Sequence, residues 1–183
     1  MKIRVLLWNV RGVDDGDKRK MIKAFIKSQK VDFVCMSETK IQEMTMGVVR
    51  SLKVRRCLEG GVMNSKGERR EGGRGVVFSD NRVLQLLEMD VGFFSISCRF
   101  KNCEDGFCWS FIGDYEPTLK MDREVFWSEM GVDSGLWSDP WCVADNFNMI
   151  RFPLERSRGS KLSLAMRRFS EVIEDLELKD LPF

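Results

Sequence analysis

The chain has no histidine, and among its six cysteines, Cys35, Cys57, Cys98, Cys103, Cys108 and Cys142, no two are spaced Cys-x-x-Cys. Zinc sites of mixed Cys/His or paired-cysteine type are therefore excluded. Cys35 and Cys142 sit inside apolar, strand-like runs, a pattern that predicts reduced, mostly buried thiols in place of a disulfide framework. Long apolar runs are missing as well. Near the start the longest is Val5-Leu6-Leu7-Trp8, far below the ~20 residues that span a bilayer, and no charged start leads into a signal-like apolar core. No repeat, linker or low-complexity tract argues for a second domain. These absences predict an intracellular protein, nuclear or cytoplasmic, with no membrane partner.

What is present suffices for one domain over residues 1–183, because 43% of the chain is hydrophobic and can bury a real core. The net charge of +2 hides a segregation. Residues 50–74 hold eight Lys/Arg against three acids, and 151–168 hold six against one, whereas 114–145 hold two bases against eight acids. Two basic stretches flanking an acidic one suit a polyanion held around a metal site. Solvated loops and helix faces would produce the same pattern, and composition alone does not separate the two.

The chain opens on a strand-like segment ending at Asn9, and Asp14 to Asp17 then offers turn and N-cap chemistry. Met21, Ile22, Phe25 and Ile26 recur at helical spacing, predicting a helix over 17–29. Val31 to Met36 is a buried strand by its apolar, β-branched and aromatic content. A strand, helix, strand crossover places Asn9 and Glu38 at one edge of one sheet. Residues 41–75 are less regular, and strands are expected at 76–78, 82–88, 93–100 and 107–113, in antiparallel order. A helix near 121–130 would share a face of Val125, Phe126 and Met130; Trp141 to Ala144 forms another buried strand. A last helix over 162–176 carries Met166, Phe169, Val172, Ile173 and Leu176 on one stripe. Strand and helix alternate at both ends with antiparallel strands between, which predicts two packed sheets covered by helices.

Candidate chemistry gathers at strand ends. Asn9 closes the first strand, Glu38 follows the second, Tyr115-Glu116-Pro117 follows a later one, and Asn146-Phe147-Asn148 follows another. A hard divalent cation prefers carboxylate oxygen and keeps waters, so one glutamate suffices where phosphate oxygens supply further ligands. Charge developing on a phosphoryl group is offset by such a cation and by fixed amide and phenol donors. Each residue also has a plainer reading. Glu38 suits a helix N-terminus, Asn9 a strand end and Tyr115 simple packing.

These motifs, in this order, resemble the endonuclease/exonuclease/phosphatase superfamily. Trp8-Asn9-Val10-Arg11-Gly12, Glu38-Thr39-Lys40, Phe126-Trp127, Trp141-Cys142-Val143 and Ile150-Arg151-Phe152-Pro153 with Glu155-Arg156-Ser157 look like the endonuclease domain of plant LINE-class (non-LTR) retrotransposon polyproteins. The resemblance covers essentially the whole chain. It implies a four-layer α/β/β/α sandwich with two mixed sheets, a magnesium or manganese cofactor, and a monomer acting on DNA, with RNA as the second candidate. It also implies roles: Glu38 as metal ligand, Asn9 placing metal and phosphate, Tyr115 contacting the scissile phosphate, and Asn148 orienting the phosphate or the attacking water.

Departures from the family pattern fall on the chemistry itself. Where the family has Gly-Gly-Asp-Phe-Asn, this chain reads Ala144-Asp145-Asn146-Phe147-Asn148, so the catalytic aspartate is matched by Asn146, whose amide cannot accept the proton. Asp145 is displaced by one position, and on an extended strand neighbours point to opposite faces. Glu116 stands where the family has glycine, and Ser37 where it has glutamine. The family's last strands carry a Ser-Asp-His segment, whereas this chain stops at Phe183 after a helix, so the expected fold lacks its final strands. The expectation is a phosphodiesterase domain that is weak or inactive; a non-catalytic nucleic-acid-binding remnant is the alternative, and a phosphatase-like relative ranks behind both.

Overall fold

A computed structural model describes residues 2–13, 15–39, 45–52, 58–63, 75–114, 122–144, 151 and 163–179. In chain order the elements are β1 (Val5–Asn9), α1 (Gly16–Gln29), β2 (Phe33–Ser37), α2 (Met46–Leu52), β3 (Leu58–Met63), β4 (Gly75–Asp80), β5 (Leu84–Val91), β6 (Ser95–Asn102), β7 (Cys108–Asp114), α3 (Asp122–Ser134), β8 (Trp141–Ala144) and α4 (Leu164–Asp175). The strands form two four-stranded sheets, ordered β1-β2-β4-β3 and β5-β6-β7-β8. Each is mixed: β1 and β2 are parallel, as are β7 and β8, and the remaining pairs are antiparallel.

Alternation along the central strands divides the core into three interfaces. On β2, Val34 and Met36 turn outward onto Ile22 and Ile26 of α1 and Val49 and Leu52 of α2. Phe33 and Cys35 turn inward, where they meet Ile96, Cys98, Phe100 and Phe111 of the second sheet. Edge-to-face contacts of Phe33 with Phe100 and Phe111, at ring separations of 5.1 and 4.7 Å, join the sheets. The third interface packs Phe126, Trp127 and Met130 of α3 and Phe169 and Val172 of α4 over the second sheet. The layers therefore run helix, sheet, sheet, helix.

Local sequence explains most of these elements. Asp15 caps α1, its carboxylate accepting from the N–H groups of Asp17 and Lys18 at 3.1 and 3.4 Å, and Ser163 caps α4 by accepting from Met166 N–H at 3.2 Å. Several expectations need correction. Residues 41–75 contain α2 and β3; the first is a seven-residue helix, and the second carries Gly60-Gly61, which reads as a turn until β4 pairs with it from Leu58↔Asp80 to Met63↔Gly75. Val125 is 52% exposed because Phe126, Trp127 and Met130 take the buried face. Met21 is likewise exposed, and Phe25 packs on Trp8 at the surface. Of the five described thiols, only Cys35 and Cys98 are buried. No described helix is long and apolar enough to cross a membrane.

Two polar features fix α3 and the inter-sheet spacing. Glu129 Oε1 accepts from Phe94 N–H at 2.8 Å and from Ser95 Oγ at 2.6 Å, tying α3 to the start of β6. One turn later, Asp133 is buried with Oδ2 lacking a hydrogen-bond partner. Desolvation pushes its pKa up, the Ser95 and Ser97 hydroxyls oppose this, and the charges of Glu129 and Asp90 reinforce it. Between the sheets, a Cβ at Gly113 would lie 2.9 Å from the Phe111 ring and 3.0 Å from Cys35 Sγ.

Two outcomes follow. Gly113→Ala should destabilise the fold by about 1–3 kcal/mol through overpacking, read from urea denaturation midpoints. For Asp133, a raised folded pKa means stability is greatest below the ordinary aspartate value of about 4 and is lost as pH rises through the folded pKa. Denaturation of Asp133→Asn across that range should show a flatter pH profile than the parent and a relative gain at neutral pH.

Candidate functional site

Strand directions bring four chain exits to one edge. Parallel pairing in register from Val5↔Phe33 to Asn9↔Ser37 ends β1 and β2 together. In the second sheet, Gly113 pairs with Ala144, so β7 and β8 also end together. The contact of Gly113 with Cys35, two residues before the end of β2, shows that both pairs of ends lie at the same edge of the sandwich.

At that edge β1 and β2 stay paired beyond the sheet. Val10 N–H donates to Ser37 C=O at 3.1 Å, Gly12 N–H to Glu38 C=O at 2.7 Å and Val13 N–H to Thr39 C=O at 2.9 Å. The two exits are consequently tied to each other. Glu38 and Arg11 adopt left-handed φ values of 52° and 47°, and Gly12 has φ 103°. These turns bring the predicted pair together: Asn9 Nδ2 donates to Glu38 Oε1 at 2.6 Å, while Asn9 Oδ1 accepts from Arg11 N–H at 3.2 Å. Both ends of the amide are used, which fixes its orientation. Both side chains are half-buried.

A neutral donor holds the Glu38 carboxylate in place without cancelling its charge. Its Oε2 has no hydrogen-bond partner among the described residues. That donor set, one oriented, half-buried carboxylate with its second oxygen unbonded among the described residues, fits a hard divalent cation that takes its other ligands from water and phosphate. No cluster of three or more Asp, Glu, Cys or His suited to a metal occurs among the described residues, so a protein-only cage is not formed there.

No protein-family model and no curated protein matches the chain. Solved structures do. An AP endonuclease from Archaeoglobus fulgidus is similar with a TM-score of 0.64 at 14% identity, covering 96% of this chain and 71% of that one. An endonuclease/exonuclease/phosphatase family protein from Bacteroides thetaiotaomicron is similar with a TM-score of 0.61 at 12% identity, covering 80% and 63%. This chain has the endonuclease/exonuclease/phosphatase fold. D. rerio TDP2 complexed with a single strand DNA product is a third example, with a TM-score of 0.58, 12% identity, and 81% and 61% coverage. The chain thus spans between 61 and 71% of the lengths of these three relatives in fold.

Of the predicted site residues, the endonuclease/exonuclease/phosphatase-fold edge unites Asn9 and Glu38. Tyr115, Asn146 and Asn148, with Glu116 and Asp145, lie outside the described residues; they follow directly on the ends of β7 and β8 in the chain. Sequence reasoning did not single out the turn at Arg11-Gly12, which positions Asn9 through Arg11 N–H and Glu38 through Gly12 N–H. Its signal was the glycine, the residue best suited to such a φ.

Substituting Asn9→Asp would set two carboxylates against each other. The variant should lose about 1–3 kcal/mol of stability at neutral pH, and the loss should shrink as added salt screens the like charges. Asn9→Ala should show no such salt dependence, and parallel denaturation series compare the two.

Proposed function

We propose that this chain is a divalent-metal-dependent phosphodiesterase domain of endonuclease type, acting on DNA as a monomer, derived from a LINE-class retrotransposon polyprotein and impaired in catalysis. The observation that carries the reading is the Asn9–Glu38 hydrogen bond at the edge where four strands end. Nucleases share the fold. Glu38 would hold Mg²⁺ or Mn²⁺, and Asn9 would orient Glu38, since its own oxygen is taken by Arg11 N–H. Such a cation, when bound, offsets charge on the phosphoryl oxygens. Tyr115 and Asn148 are assigned to the scissile phosphate and the attacking water by their place in the motif order.

Asn146 stands at the base position, and an amide does not accept a proton at neutral pH; losing a general base costs ~10²–10⁴ in rate. No histidine exists anywhere in the chain to compensate. Retrotransposon descent is supported by the motif run from Trp8 to Ser157. A second reading, binding without cleavage, is favoured by the same Asn146.

Purified protein incubated with supercoiled plasmid and Mg²⁺ or Mn²⁺ tests the proposal. Slow nicking is expected, abolished by Glu38→Ala and raised by Asn146→Asp, by at most ~10²–10⁴ because catalytic groups act as a unit. Nicking as fast as by an intact AP endonuclease would overturn the impairment. Nicking untouched by Glu38→Ala would overturn the site.

A further inference from the structure

Away from Asn9 and Glu38, the outer helical layer of the second sheet contains a groove of about 560 Å³ between α3 and α4. Its position follows from the contacts of α3. Glu129 is bonded at Ser95, which pairs with Asp114 at the very end of β7. Asp133, one turn on, lies against Ser95 and Ser97, deeper along β6. The helix therefore descends from that edge, and its earlier turns, carrying Arg123, Glu124 and Trp127, lie toward it. The early turns of α4 sit beside them: Arg168 reaches Glu124 at 3.6 Å, and the rings of Trp127 and Phe169 are 5.7 Å apart.

Among the described residues, three arginines, Arg123, Arg167 and Arg168, line the groove against two acids, Glu124 and Glu171. Arg168 engages both acids, the second at 3.4 Å. Arg167 has no carboxylate within ion-pair distance among the described residues, so the groove keeps a cation uncompensated beside the capped N-terminus of α4. Leu164, 80% exposed on the rim, leaves the entrance open to a ligand with an apolar surface. The basic stretch 151–168 that composition left ambiguous ends in this groove.

We propose that the α3–α4 groove seats a backbone phosphate of the nucleic-acid strand flanking the cleavage position, with Arg167 as its principal contact. This rests on the phosphodiesterase reading and adds a substrate track to it. A planar guanidinium matches a phosphate bidentately, where a lysine offers only a point charge. Each phosphate neutralised releases counterions, which makes the contact visible in salt dependence.

Binding of a fluorescently labelled duplex DNA oligonucleotide, measured by anisotropy over a salt series without divalent cation, is the test. Arg167→Ala should weaken binding several-fold at low salt and make the log–log salt slope shallower by about 0.9, the value for one lost phosphate contact. Arg167→Glu should weaken it further, and Arg167→Lys should retain the slope. Lys27→Ala, on α1 over the other sheet, should change neither quantity beyond a general charge effect. Thermal unfolding confirms that each variant is folded. Unchanged affinity and slope for both Arg167→Ala and Arg167→Glu would overturn the groove while leaving the Glu38-dependent nicking assay to judge the site. Failure of the parent protein to bind duplex at low salt would also overturn it.

Discussion

Parallel pairing of β1 with β2 is the constraint from which the site descends. Two parallel strands must be joined by a crossover, and α1 supplies it, so both strands point the same way and end at the same edge. Their pairing continues for three hydrogen bonds past the sheet, with the register slipping by one residue at Gly12, which joins two chain exits into one platform. An antiparallel arrangement would have put Asn9 and Glu38 at opposite ends of the sheet, with no contact between amide and carboxylate. The second sheet repeats the device with β7 and β8. Aromatic packing around Phe33 and the close approach at Gly113 then hold the two platforms at a fixed separation.

Much of this architecture was legible in the residues. Capping at Asp15, the double-sided burial of Phe33 to Met36 and the stripe on α4 are local signals, and each element appeared within a few residues of its expected place. Strands expected at 82–88 and 93–100 form at Leu84–Val91 and Ser95–Asn102, offset because the turn at Gly92 to Phe94 is pinned by Glu129 of α3. That contact is separated by 35 residues in sequence and has no local signature. β3 was hidden for a similar reason. Its pair of glycines is intrinsically turn-forming, and only pairing with β4 makes it a strand. The Asn9–Glu38 pair was legible because it needs only chain direction and strand order, whereas the Arg11-Gly12 turn that holds it depends on backbone angles that residue types constrain weakly.

Two opposed tendencies meet in the chain's charges. The acids of α3 include a buried carboxyl with an unsatisfied oxygen, Asp133, facing serines on β6. The arginines of α3 and α4 line the opposite rim of the same helical layer. One helix thus carries interior acids, of which Glu129 ties it to the sheet, and groove-lining cations on another face, so its placement and its surface charge are set by different faces. The endonuclease/exonuclease/phosphatase fold gives such a helix a natural position, between the strand that ends at Asp114 and the strand that ends at Ala144.

Glu38 has a left-handed backbone, φ 52°. For a side chain with a Cβ this conformation carries a cost of about 1–2 kcal/mol that glycine would not incur. The position is therefore one at which the most stable residue and the chemically useful residue differ. Backbone conformation alone would be served by glycine. Glu38 is held against the conformational preference of its own residue, and the hydrogen bonds through Gly12 and Val13 are the framework that keeps it there.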